Sequence, residues 1–159
     1  MFHIEESPLI KIISRFGQLS WSHGGGFVTE EKERHPERNY DSYPRHFSWR
    51  FKKPNQMIDQ AIVEAVESYK GSVEWHIKYR VKALGGINWC ILPKRVDEYA
   101  REGKKYAPEG LNERLASSEY YIAKYEPEWG KLANTDIPNL AKHIEAYVTG
   151  KCGEILEKL

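Results

Sequence analysis

The densest chemistry in this chain stands on one alternating run, Glu74-Trp75-His76-Ile77-Lys78-Tyr79-Arg80-Val81-Lys82. A β-strand sends successive side chains to opposite faces, so this run gathers Glu74, His76, Lys78, Arg80 and Lys82 on one side. There a carboxylate two residues from an imidazole can orient or charge it, and the three cations beyond can hold an anion. A second run, Tyr43 to Lys53, mixes cations and rings in the same way. Its alternation turns Phe47, Trp49 and Phe51 one way and His46, Ser48, Arg50 and Lys52 the other. Proteins that hold nucleotides or single-stranded nucleic acid use this combination, with cations on phosphates and rings stacked on bases, each stack contributing roughly 1–3 kcal/mol.

Six histidines are available for acid-base or metal chemistry. No His-Glu-x-x-His and no Cys-x-x-Cys occurs, so neither a metal site nor a cofactor is expected. His46-Phe47-Ser48 resembles one of the two His-x-Ser/Thr motifs of two-histidine phosphoesterases. The second motif is missing, because no other histidine is followed two residues later by Ser or Thr. An enzyme is nevertheless an alternative reading: a hydrolase or phosphodiesterase-like protein with His46, Glu74 and His76 as acid-base groups and Arg50 or Arg80 on the anion. His23-Gly24-Gly25-Gly26 resembles the oxyanion loop of some lipases and esterases, but the chain has no Gly-x-Ser-x-Gly nucleophile. Nor does it have a phosphate-loop spacing, and the triple glycine reads as a hairpin or bulge turn.

The element that must position these groups is a β-hairpin over 73–92. Gly85-Gly86 supplies the positive φ angles of a two-residue turn. That turn pairs Lys82 with Trp89 and Val81 with Cys90. Val73, Trp75, Ile77, Tyr79, Val81, Ala83, Cys90 and Leu92 then share a core face. Trp89 and Ile91 join the cations on the other face, which makes Trp89 the ring placed to stack. His46 to Phe51 is a further strand, and Leu19 to Val28 completes a mixed or antiparallel sheet of about four strands.

Helices do the packing, on one face of that sheet. Ser7-Pro8 starts one, with Leu9, Ile12, Ile13 and Phe16 at helical spacing. Asn55 caps the clearest, whose stripe is Met57, Ile58, Ala61, Ile62, Ala65, Val66 and Tyr69. From Val96 onward the texture is helical. Val96, Tyr99 and Ala100 open a helix that Gly103 weakens and Pro108 stops. Leu111, Leu115, Ser118, Ile122 and Tyr125 fit another, closed by Pro127 and Gly130. Asp136, with Pro138 in the first turn, caps a last one that Gly150 and Gly153 should bend. The charged stretch Thr29 to Arg45 reads as an exposed loop.

A chain of 159 residues with 30% charged residues and a net charge of +1 fits one domain, 1–159, with a sheet-forming part over 1–95 and a helical part over 96–159. The first part holds 15 Lys and Arg against 11 Asp and Glu, which directs a polyanion to it. Two cysteines make no disulfide framework, and Cys90, on the core face, is expected to be buried and inert. With no signal peptide and no apolar run long enough to span a bilayer, a soluble, cytoplasmic protein with no membrane partner is expected. The expected fold class is α+β. The leading expectation for function is a binding module for a phosphate-bearing ligand, a nucleotide or single-stranded nucleic acid, through Arg50, Lys78, Arg80, Lys82 and Trp89. A third reading is an inhibitor or adaptor that docks a protein partner through Tyr120, Tyr121, Tyr125 and Trp129.

Overall fold

The computed structural model describes residues 7–24, 40–81, 87–101 and 115–158. In chain order these form α1 (Pro8–Ser14), β1 (Leu19–Gly24), a 3₁₀ turn (Tyr40–Ser42), β2 (Phe47–Phe51), α2 (Gln56–Ser68), β3 (Trp75–Val81), β4 (Ile87–Pro93), α3 (Lys94–Arg101), α4 (Leu115–Tyr125) and α5 (Pro127–Leu156). The four strands make one antiparallel sheet in the order β1-β2-β4-β3, and the C-terminal half is helical, so the fold is α+β. Gly25-Gly26, residues 29–39, Lys82, the Gly85-Gly86 dipeptide, Gly103, Pro108 and Leu111 lie outside the described residues.

Period-two and period-3.6 patterns build the larger core. Phe47, Trp49 and Phe51 of β2 are buried on one sheet face while Ser48 and Arg50 between them are half-exposed. Trp75 of β3 and Ile91 of β4 join them. Against this face pack α1, through Leu9, Ile10 and Ile13, and α2, through Ile58, Ala61, Ile62, Ala65 and Val66. The Asn55 side chain caps α2 by accepting from Met57 N at 3.0 Å and Ile58 N at 3.2 Å. Ser7 starts α1 by conformation alone: its buried hydroxyl has no hydrogen-bond partner. The α5 stripe, Ala133, Ile137, Leu140, Ala141, Ile144 and Val148, closes the core.

The hairpin register differs from the expected one. Val81 pairs with Ile87, Tyr79 with Trp89, Lys78 with Cys90, Ile77 with Ile91 and His76 with Leu92. The partner of Val81 is thus displaced by three positions from the expected one. The slip is odd, and an odd slip turns every β4 side chain to the opposite face relative to β3. Burial decides the outcome. Central strand β4 also pairs with β2, Phe47 to Ile91 and Trp49 to Trp89, so Ile91 and Trp89 add to the large core. The expected register would have spent those two side chains on a charged face, forgoing about 25 cal/mol for each Å² of apolar surface. Trp89 is thus on the same face as Tyr79, and Cys90 and Leu92 are on the other.

Three further expectations are corrected. Helices cover both faces: Leu92, on the second face, forms a smaller core with Val96 and Tyr99 of α3 and Ile122 of α4. The last helix starts at Pro127, where the missing N–H costs nothing, so Asp136 and Pro138 are internal to it. Asp136 is buried and accepts from Tyr69 Oη at 2.7 Å and Trp75 Nε1 at 3.0 Å, which tethers α5 to α2 and the sheet. Burial, and after it the hydrogen bond to Asp136 and the Asp136 charge, raise the Tyr69 pKa. As expected, α5 bends between its last two glycines, where Cys152 leaves helical geometry at φ −121°, ψ 19°. Cys90 is half-buried rather than buried, and no disulfide joins it to Cys152.

Candidate functional site

The second face of the sheet collects most of the groups that could do chemistry. Along β1 the register shifts between Leu19 and Trp21, a bulge that accommodates Ser20. The shift sets Trp21 opposite Arg50, and Trp21 is 37% exposed. Arg50 lies beside Asn88, and its Nε donates to the Asn88 Oδ1 at 2.9 Å. Arg80 is the register partner of Asn88 on the far strand. One row along, Ser48, Cys90 and Lys78 are partners across β2, β4 and β3. The next row holds Leu92 and His76.

Above the β3 end of these rows stands Asp97 of α3, only 3% exposed. Lys78 Nζ donates to its Oδ1. Arg101 Nη2 is 3.0 Å from its Oδ2, and His76 Nδ1 is 3.6 Å from the same oxygen. A carboxylate withdrawn from water costs several kcal/mol unless compensated, and here Lys78 and Arg101 pair with it while His76 lies close by. Lys78 and His76 are about a third exposed at the side chain and Arg101 more, so these three groups reach water while Asp97 does not. Counting Arg50, the described charged groups of this patch carry an excess of positive charge.

His46, immediately before β2, is buried and bonded through Nδ1 to Glu119 Oε1 of α4. Burial alone would lower its pKa; the Glu119 charge and hydrogen bond outweigh that and raise it. Glu74 is exposed ahead of β3 and pairs with Lys94 at 3.2 Å, leaving Asp97 as the carboxylate of His76. The expected trio of His46, Glu74 and His76 is thus divided among three partners, and the imidazoles form two imidazole–carboxylate pairs, His46–Glu119 and His76–Asp97. Of the expected binding residues, Arg50 and Lys78 are on this face, the Arg80 backbone pairs with Asn88, and Lys82 lies outside the described residues. Trp89 is partly buried against the larger core and its ring lies 5.5 Å from that of Tyr79. Near it, burial raises the pKa of Asp59, and Trp89 offsets part of that rise.

Sequence reasoning missed Asp97, Arg101, Asn88, Glu119 and Trp21. Asp97 and Arg101 carried a legible signal, opposite charges four apart on a predicted helix. The bulge that reorients Trp21 had none. The aromatic set on α4 and α5 is partly used in folding: Tyr121 and Trp129 pack on the smaller core, and Tyr121 stacks on Tyr125 at 6.0 Å. Tyr120 meets Tyr43 edge-on at 6.4 Å.

Among the described residues no group of His, Cys, Asp and Glu could hold a metal ion, and no helix is long and apolar enough to cross a membrane. Compared with protein-family models, with curated proteins and with solved structures, the chain matches none.

Proposed function

We propose that this protein binds a phosphate-bearing ligand, a nucleotide or single-stranded nucleic acid, on the second face of its sheet. The observation that carries this reading is the gathering of Lys78, His76 and Arg101 around the buried Asp97 carboxylate, beside Arg50. An internal carboxylate that already holds its cations in place reduces the side-chain freedom they lose when an external anion arrives. Trp21 opposite Arg50 supports the same reading, because a ring next to a cation suits a base next to its phosphate. We propose a cytoplasmic location on the same footing, since no disulfide joins Cys90 and Cys152.

The test is a titration with single-stranded RNA, single-stranded DNA and a mononucleotide. Binding to at least one is expected, weakened in Lys78→Gln with the fold retained by circular dichroism. No binding to any of the three sinks the proposal. The two imidazole–carboxylate pairs favour a second reading, a hydrolase acting on the same ligands, since a carboxylate behind an imidazole fixes its tautomer and supports proton transfer. A hydrolysed product in the same titrations, lost in both His46→Ala and His76→Ala, would establish it.

A further inference from the structure

Resting on the anion-binding reading above, we infer that the ligand presents a terminal phosphate, a phosphomonoester, to the Asp97 cluster, rather than a run of internal phosphodiesters. Lys78 and His76 come from β3 and Arg101 from the end of α3, yet all three reach the two oxygens of one carboxylate. The three nitrogens therefore stand around one carboxylate, each within 3.6 Å of one of its oxygens. A site for internal diesters is built differently, as a groove whose charges are strung along the path of the backbone. A monoester carries about −1.5 to −2 charges and three acceptor oxygens, where a diester carries a single charge and two such oxygens. At equal distance the near-dianion gains close to twice the Coulomb energy. Three donors at one point match three oxygens on one phosphorus. The inner side of the cluster is already filled by Asp97, 3% exposed, so an anion meets the cations only from outside, an approach that suits the end of a molecule. Arg50 and Asn88, across β4 from Lys78 and one row along, are where the next group of such a ligand would lie.

The experiment compares one short single-stranded oligonucleotide in three forms: 5′-phosphorylated, 3′-phosphorylated, and with hydroxyls at both ends. A 5′-mononucleotide serves as competitor. One phosphorylated form should bind about tenfold tighter than the hydroxyl form, the gain of one added charge-assisted contact. That preference should vanish in Lys78→Gln and Arg101→Gln, return in Lys78→Arg, and persist in Arg50→Gln even though that variant binds more weakly overall. Displacement by the mononucleotide at equal concentration identifies a free nucleotide as the ligand, and failure to displace identifies a strand end; both support a terminal phosphate. Equal affinity for all three forms overturns the inference and leaves the anion-binding reading standing. Absence of binding to any form overturns both.

Discussion

At the scale of single residues, the exposed ring beside the cations is Trp21 and not Trp89. Trp89 is partly buried against the larger core, beside Tyr79, whereas Trp21 is 37% exposed in the row of Arg50. Trp21→Ala is therefore expected to weaken oligonucleotide binding by roughly 1–3 kcal/mol with little loss of stability. Trp89→Ala should act the other way, lowering unfolding stability by about 3 kcal/mol, near the low end for a truncated Trp. Paired titrations and urea melts of the two variants check this, and a reversed pattern would return the stacking role to Trp89. His46 makes a second residue-scale prediction. Its native pKa lies above the ordinary 6.5 despite burial, because Glu119 holds the charged form. A raised native pKa means that the native state binds the proton more tightly than the unfolded chain. The resulting stability is fully present below about pH 6.5 and is lost as pH rises through the native value. The urea midpoint should fall over that window in the native protein and fall less in Glu119→Gln. Identical pH profiles for the two would remove the pair as its source.

At the scale of elements, the decisive relation is the pairing of β3 with β4. Directly opposed residues in an antiparallel pair have Cα atoms about 4.5–5.5 Å apart, inside the range a disulfide can bridge. Cys90 is opposite Lys78, while the turn-based register would set it opposite Val81. Lys78→Cys should therefore crosslink with Cys90 under mild oxidation and Val81→Cys should not, as read by mass spectrometry of the digested protein. A second element-scale prediction concerns the seat of α5. A Cβ on Gly130 would stand 1.8 Å from the Ser42 carbonyl oxygen, a backbone atom that cannot swing away. The same junction is clasped by Asn134, which donates to the Asp41 and Tyr43 carbonyls at 3.0 and 2.8 Å and accepts from Arg45 N at 3.0 Å. Gly130→Ala should cost about 1–3 kcal/mol or more by forcing α5 off this turn. Gly150→Ala, with nothing within 4 Å of the added carbon, should instead stabilise by up to about 1 kcal/mol through helix propensity. Thermal melts of both variants separate close approach from propensity.

For the whole molecule, charge is nearly balanced at +1, so a strong salt dependence of binding has to originate in a local patch and not in a global field. Each phosphate neutralised by a cation releases condensed counterions, about 0.7 per contact on a single strand. Arg50→Ala is accordingly expected to make the slope of log affinity against log salt shallower by about that amount. Lys131→Ala, whose cation pairs with Glu128 on α5, should leave the slope unchanged. Equal slopes for all three proteins would show that the second face is not where the charge acts.

Local order was written plainly in the chain. Asn55 and the stripe from Ile58 to Val66 specified α2, and the alternation of Phe47, Trp49 and Phe51 specified which side of β2 is buried, because periodicity and capping depend only on near neighbours. The opposite charges of Asp97 and Arg101 were legible for the same reason. What the tertiary structure alone decided is which strand faces were shared. The Gly85-Gly86 dipeptide favoured one register, but β4 is a central strand whose pairing also has to bury Ile91 and Trp89 against β2, and that gain outweighs a local turn preference. The bulge at Ser20, the roof that α3 and α4 form over Leu92, and the meeting of His76, Lys78 and Arg101 on Asp97 likewise depend on contacts between residues distant in sequence, where no spacing rule reaches.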